Sequence, residues 1–168
     1  MKNYVIDACS VINLTNADAL ELVCQLPRRR FWISPAVLIE TGPTCSHAVQ
    51  SLLADGLMDV IDDSAISAEL YADLLISGGL GDGETECIVA CIGLGYDLCC
   101  DDKKARALGQ KHLGQDRVVG TIRLLRWCVE ENLIECNAAF RIFRTMKAAG
   151  GFLPKLQSSF FCNPIGGG

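Results

Sequence analysis

Asn3-Tyr4-Val5-Ile6-Asp7 is an apolar run closed by an acid, and helical spacing follows it as far as Leu26. So compact an apolar segment reads as a buried strand. The same unit then recurs. Phe31-Trp32-Ile33-Ser34 is a second strand, and Pro35 suits the first turn of a helix carrying Val37, Ile39 and Glu40. Gly42-Pro43 interrupts that helix, which resumes from His47 to Ala54. Leu57 to Ile61 reads as a strand, and Ser64 as the N-cap of a helix reaching Ile76. After the break Ser77-Gly78-Gly79-Leu80-Gly81 comes a helix from Glu84 to Leu94. The strand Asp97-Leu98-Cys99-Cys100 leads to a helix from Lys103 to His112. Arg117-Val118-Val119 is a last short strand before helices over 121–132 and 137–149. Alternating strands and helices predict a three-layer α/β/α domain around a mostly parallel sheet. One domain over residues 1–150 is expected, with 151–168 as a partly mobile tail ending in three glycines.

The composition narrows the function classes. Half of the 168 residues are apolar, enough for a substantial core. No apolar run is long enough to span a membrane and the first residues are unlike a leader, so a cytoplasmic protein is expected. There are ten cysteines, but Cys87, Cys91, Cys99, Cys100 and Cys128 lie in apolar segments, where a reduced thiol is a small hydrophobe. No CxxC pair occurs and His47 and His112 lack zinc-site spacing, which argues against structural zinc.

Charge is unevenly distributed. Residues 31–102 hold thirteen carboxylates and no lysine or arginine. From Lys103 onward eleven basic residues face four acids, and Arg28-Arg29-Arg30 adds a second basic cluster. An acidic centre between basic segments suits a metal site receiving a polyanion. Solvated helix faces or contacts to an acidic partner explain the arginines equally well.

In open parallel sheets, sites form outside the carboxyl ends of the strands. Asp7 and Asp101 both follow strands, and Glu40 and Glu86 must reach that edge from helices. Clustered carboxylates raise one another's pKa unless a cation neutralises them, which favours a hard divalent ion, Mg2+ or Mn2+. Each acid also has a plainer role. Asp7 and Asp101-Asp102 can cap the helices that follow them, and Glu86 can complete a capping box with Gly83. Asp82 and Glu84 favour a helix dipole, and a lone glutamate such as Glu40 is usually solvated.

The joint order of these blocks resembles the PIN-domain nucleases, in a prokaryotic, toxin-like branch. Val5-Ile6-Asp7-Ala8-Cys9-Ser10 looks like that family's opening, where the first metal-binding aspartate ends strand one. Phe31 to Glu40, Gly83-Glu84-Thr85-Glu86-Cys87-Ile88-Val89-Ala90 and Asp101-Asp102-Lys103-Lys104-Ala105-Arg106 are similar to its next three blocks. Val119-Gly120-Thr121-Ile122-Arg123-Leu124-Leu125 and Phe152-Leu153 with Leu156 resemble segments of that one branch.

The resemblance implies a PIN-like fold and metal-dependent endoribonuclease chemistry. Asp7, Glu40, Glu86 and Asp101 would be the catalytic acids, with Asp102 as a further metal ligand. It also implies RNA as substrate and a role as toxin with an antitoxin protein as partner. Lys103, Lys104 and Arg106 would hold phosphates, and Ser10 and Thr121 would also meet the substrate. Thr121 stands where some relatives carry another aspartate. The usual hydroxyl residue two places after the first aspartate is replaced by Cys9, with Ser10 next to it. An alternative is a non-catalytic RNA- or partner-binding PIN-like protein. An aspartate-nucleophile phosphotransferase would want an acid where Cys9 stands, and nothing supports a serine or histidine mechanism.

The helix from Thr121 carries Ile122, Leu124, Leu125, Trp127 and Val129 nearly all round, so it is either core or contact surface. Together with the Ser64–Ile76 helix it is a candidate homodimer contact or antitoxin groove, and a homodimer is expected because PIN-like proteins commonly dimerise.

Overall fold

The structure is a computed structural model describing residues 1–163. The terminal glycines of the expected tail lie outside the described residues. Strands β1 (Lys2–Ile6), β2 (Arg29–Ile33), β3 (Met58–Val60), β4 (Asp97–Cys99) and β5 (Val118–Val119) form one sheet of order β3-β2-β1-β4-β5. Every neighbouring pair is parallel. Parallel neighbours need crossovers, which here are the helices. These are α1 (Ala8–Asn16), α2 (Leu20–Cys24), α3 (Pro35–Ala54), α4 (Ala68–Gly78), α5 (Asp82–Leu94), α6 (Lys103–Leu113), α7 (Thr121–Glu130), α8 (Cys136–Ala148) and α9 (Ser159–Cys162). The fold is the expected α/β/α.

The strand order places the site. The chain builds β1, β2 and β3 outward in one direction, then returns to lay β4 on the other side of β1. The connections therefore diverge between β1 and β4, leaving a crevice at their carboxyl ends. The Asp7 amide donates to the Cys99 carbonyl at 3.0 Å, so the ends of β1 and β4 are held together there. Tyr4, Val5, Ile6, Phe31, Ile33, Leu98 and Cys99 are all nearly inaccessible, as a doubly covered sheet requires.

Several local readings change. The cap of α4 is Ser67, whose hydroxyl accepts from the Leu70 amide, and Ser64 sits in a 3₁₀ turn because Asp62 takes its amide. Helix α5 begins at Asp82, with Gly81 as N-cap and Glu84 accepting the Gly81 amide at 2.7 Å. The expected break in α3 is present: Gly42 takes φ 56° and ψ −162°, which with Pro43 kinks the helix. Cys136 and Cys162 form a disulfide that the sequence reading did not anticipate, tying α9 to the start of α8. The five cysteines read as hydrophobes are free and buried.

The basic cluster at Arg28-Arg29-Arg30 is engaged within the fold. Arg28 and Arg29 both pair with Glu131, Arg30 pairs with Asp59, and Arg29 lies over the Trp127 ring at 4.3 Å. These residues enter β2 at its amino end, away from the crevice. On α7, Leu124, Leu125, Arg126 and Cys128 are buried, so most of that helix is core. Arg126 donates to the carbonyls of Phe160 and Asn163 and to Glu130, which anchors the segment that follows α8.

Candidate active site

Asp7 is the residue between β1 and α1, and its carboxyl group divides its work. Oδ1 caps α1 by accepting the Ser10 amide at 2.8 Å. Among the described residues the buried Oδ2 makes no hydrogen bond, although the Cys100 thiol and the Ser10 hydroxyl lie near enough to favour the charged carboxylate. Burial pushes the Asp7 carboxyl up to about 6, and the nearby Asp101 carboxylate adds to the push. An unpartnered buried oxygen on an acid is costly, and a cation is the partner that would relieve it.

Asp101 follows β4 and is held from three directions. Its Oδ1 accepts the Thr121 amide at 2.9 Å, and its Oδ2 accepts the Thr121 hydroxyl at 2.6 Å and the Asn13 side-chain amide at 2.8 Å. Thr121 is fully buried at the start of α7, and Asn13 lies on the second turn of α1. Asn13 was not singled out from the sequence. Its only signal is a polar side chain in the apolar stripe of Val11 and Leu14, two turns after Asp7. Gly120 completes the clamp. A methyl group there would lie 2.8 Å from Asp101 Oδ1 and 2.9 Å from Arg106 Nη1, so only glycine allows the close approach.

The remaining acids divide into two groups. Burial pushes the Cys9 thiol up to about 12, with the carboxylates of Asp7, Glu84, Asp102 and Glu40 pushing in the same direction. Cys9 itself is exposed and lines a cleft with Asp101 and Asp102. Burial also raises Glu40, helped by Glu84 and Asp82, and its carboxylate lies against Gly83 in the first turn of α5. Asp102 caps α6 by accepting the amides of Lys104 and Ala105 at 2.8 Å, and it lines the crevice beside Asp101.

Glu86 sits at the carboxyl end of β2, the strand next to β1. Its Oε2 accepts the Ser34 hydroxyl at 3.1 Å and the Ala36 amide at 2.8 Å, so it satisfies the first turn of α3. Glu84, read from the sequence as a dipole partner, accepts the Gly81 amide, and its charge helps to raise Glu40. The two glutamates are separated by Thr85 alone, and helix phase turns them to different sides.

Among the residues expected to meet substrate, Ser10 is fully buried and serves Asp7 through its amide. Thr121 supports Asp101 from beneath. Lys104 is occupied by the Gly79 carbonyl, and Arg106 donates one nitrogen to the Cys100 carbonyl at 2.8 Å. Lys103 is exposed at the first position of α6.

A family model described as a PIN domain matches residues 3–159. The chain belongs to the PIN-domain family. No curated protein and no solved structure matches it significantly. PIN domains are generally nucleases and typically use divalent metals. No group of three His, Cys, Asp or Glu side chains among the described residues converges on one metal position. This PIN domain instead places Asp7 and Asp101 after the adjoining strands β1 and β4, with Asp7 Oδ2 making no hydrogen bond among the described residues. Magnesium is commonly held by one or two carboxylates and keeps water and substrate phosphate as its other ligands, so the pair fits it. Among the described residues no helix is long and apolar enough to cross a membrane.

Proposed function

We propose that this PIN domain is a metal-dependent endoribonuclease whose centre is Asp7 and Asp101. The observation that carries the reading is the buried, unpartnered Asp7 Oδ2 beside Asp101 at the switch point of the sheet. A Mg2+ or Mn2+ ion held there would neutralise charge on the scissile phosphate and supply an activated water. Asn13 and Thr121 fix the Asp101 carboxylate, so its orientation does not have to be established when substrate arrives. Asp102 lines the cleft, and it, Glu40 and Glu84 would act through water or orient the attacking one. Glu86 supports the site indirectly, by holding the start of α3 and with it the helix that bears Glu40. Arg106 and the exposed Lys103 are placed to neutralise adjacent phosphates.

The deciding experiment incubates labelled RNA and single-stranded DNA with the purified chain, with and without Mg2+ or Mn2+. RNA cleavage is expected only with metal, and Asp101→Asn, which removes ligand charge at constant shape, is expected to abolish it. Cleavage undiminished in excess chelator, or equal in Asp101→Asn, would sink the mechanism. Metal-independent RNA binding without cleavage would favour the non-catalytic binding module.

The finer role, a cytoplasmic toxin countered by an antitoxin, rests on the family alone. A gene for a small regulator beside this one is the observation to seek. For homodimerisation the support is α4, where Ile76 is 85% exposed while α7 is largely core.

A further inference from the structure

We infer that Phe152 is a stacking platform for an unpaired base of a single-stranded RNA, and that the strand runs from Asp101 along Arg106, Arg123 and Lys155. The inference rests on the ribonuclease reading and names the path by which its substrate enters. Two clefts meet at Asp101, one beside Asn13 and the other beside Arg106, and Phe152 lines both. The Phe152 ring is completely exposed, although its backbone is held on either side. On one side Gly151 presses on Asn13 and the Met146 carbonyl so closely that a methyl group would lie 2.7 Å and 2.9 Å from them. On the other side Leu153 is buried. An aromatic ring fully in water on an anchored backbone, next to a carboxylate pair, is poised to stack.

Charge fixes the direction. The cleft beside Arg106 continues past Arg123 and Phe160 to Lys155, and Asp101 is the sole acid lining it among the described residues. On the other side Asp102 lines the cleft beside Cys9, and Glu40 lies against the first turn of α5. A polyanion is therefore drawn along Arg123 and repelled from the Cys9 side. Phe152 and the half-exposed Phe160 alternate with these cations, the arrangement that grips single strands by base faces and phosphates together. A duplex hides its base faces, so the platform selects unpaired RNA.

The test is fluorescence anisotropy of a labelled single-stranded oligoribonucleotide in chelator, where binding proceeds without cleavage. Phe152→Ala is expected to weaken binding by about ten-fold or more, and Phe152→Trp to retain it. Because Phe152 is exposed, both variants should melt like the native chain. An oligonucleotide with one abasic position at the stacked site should bind the native chain and Phe152→Ala alike. Arg123→Ala and Lys155→Ala should each reduce the slope of log affinity against log salt by about 0.7. Native RNA affinity in Phe152→Ala and Arg123→Ala, or equal competition by duplex RNA, overturns the path and leaves the groove to a protein partner. Failure of the native chain to bind any RNA refutes the ribonuclease reading itself, a result distinct from loss of the path alone.

Discussion

Thr121 grips Asp101 twice, its amide donating to Oδ1 at 2.9 Å and its hydroxyl to Oδ2 at 2.6 Å. The relationship joins the end of β4 to the start of α7. It also sets Asp101 at a helix N-terminus, where the backbone dipole favours a negative charge. The residue that stands in place of an aspartate in some relatives thus serves the acid of another block.

Thr121→Val keeps the shape and removes one charge-assisted hydrogen bond. A loss of about 1.5–3 kcal/mol in stability is expected by chemical denaturation, with Thr121→Ser close to native. Cleavage by Thr121→Val should fall while residual activity still requires metal. Native stability and native turnover in Thr121→Val would show the hydroxyl to be idle.

Asp7 predicts an unusual pH dependence for the metal-free protein. Its carboxyl is raised from 3.8 to about 6 by burial, so the folded state holds the proton more tightly than the unfolded chain. Stability from this group is fully present below about pH 4 and is lost as pH rises through about 6, a cost on the order of 3 kcal/mol. In chelator, Asp7→Asn should therefore be more stable than the native chain at pH 8 and not at pH 4. Added Mg2+ should narrow the gap at pH 8 by stabilising the native protein alone. A native chain that matches Asp7→Asn at both pH values contradicts this account.

The neighbouring glutamates of α5 should separate by phenotype. Glu86→Gln weakens the hydrogen bonds to Ser34 and Ala36 that complete α3, so a loss of about 1–2 kcal/mol in stability is expected. Glu84→Gln should change stability by only a few tenths, since it retains an oxygen for the Gly81 amide. Its main effect should be on cleavage rate. The reverse assignment of stability and rate effects would restore Glu86 as the acid that faces the crevice.

Gly120→Ala is expected to fold and to lose about a hundred-fold in cleavage rate, because the added methyl must displace Asp101 or Arg106 by a fraction of an ångström or more. Gly95→Ala, at a helix C-cap with φ 70° remote from the crevice, is the control: it should lose stability and keep its rate. Equal rates in the native chain and Gly120→Ala would mean that the clamp around Asp101 tolerates movement.

Ile76 bears on assembly. If α4 forms the homodimer contact, light scattering should show a dimer for the native chain and a monomer for Ile76→Asp, whose exposed site leaves the fold untouched. A native monomer at tens of micromolar removes the dimer.

What was legible in the sequence was local. The apolar run ending at Asp7, the Pro35 start, the Gly42-Pro43 break and the strand before Asp101 each carry their own signal, because strand and helix periods and cap residues are set by near neighbours. Their alternation sufficed for the parallel α/β/α fold. Boundaries that depend on which of two nearby serines becomes the cap, such as Ser64 against Ser67, were not readable.

The site itself needed the tertiary structure. Glu84 and Glu86 share a motif, and only the packing of α5 against α3 decides that one caps its own helix at Gly81 and the other reaches Ala36. Asn13 and Thr121 reach Asp101 across 88 and 20 residues, separations over which no sequence period acts. The sequence left the triple arginine open between a phosphate grip and a solvated or partner-binding face, and the fold set Glu131 and Asp59 beside it. By itself, then, the sequence determined which segments are strands and helices and which acids stand at strand ends. The tertiary structure alone decided which of those acids share a crevice, because hydrogen bonds and charges act over a few ångströms of space regardless of distance along the chain.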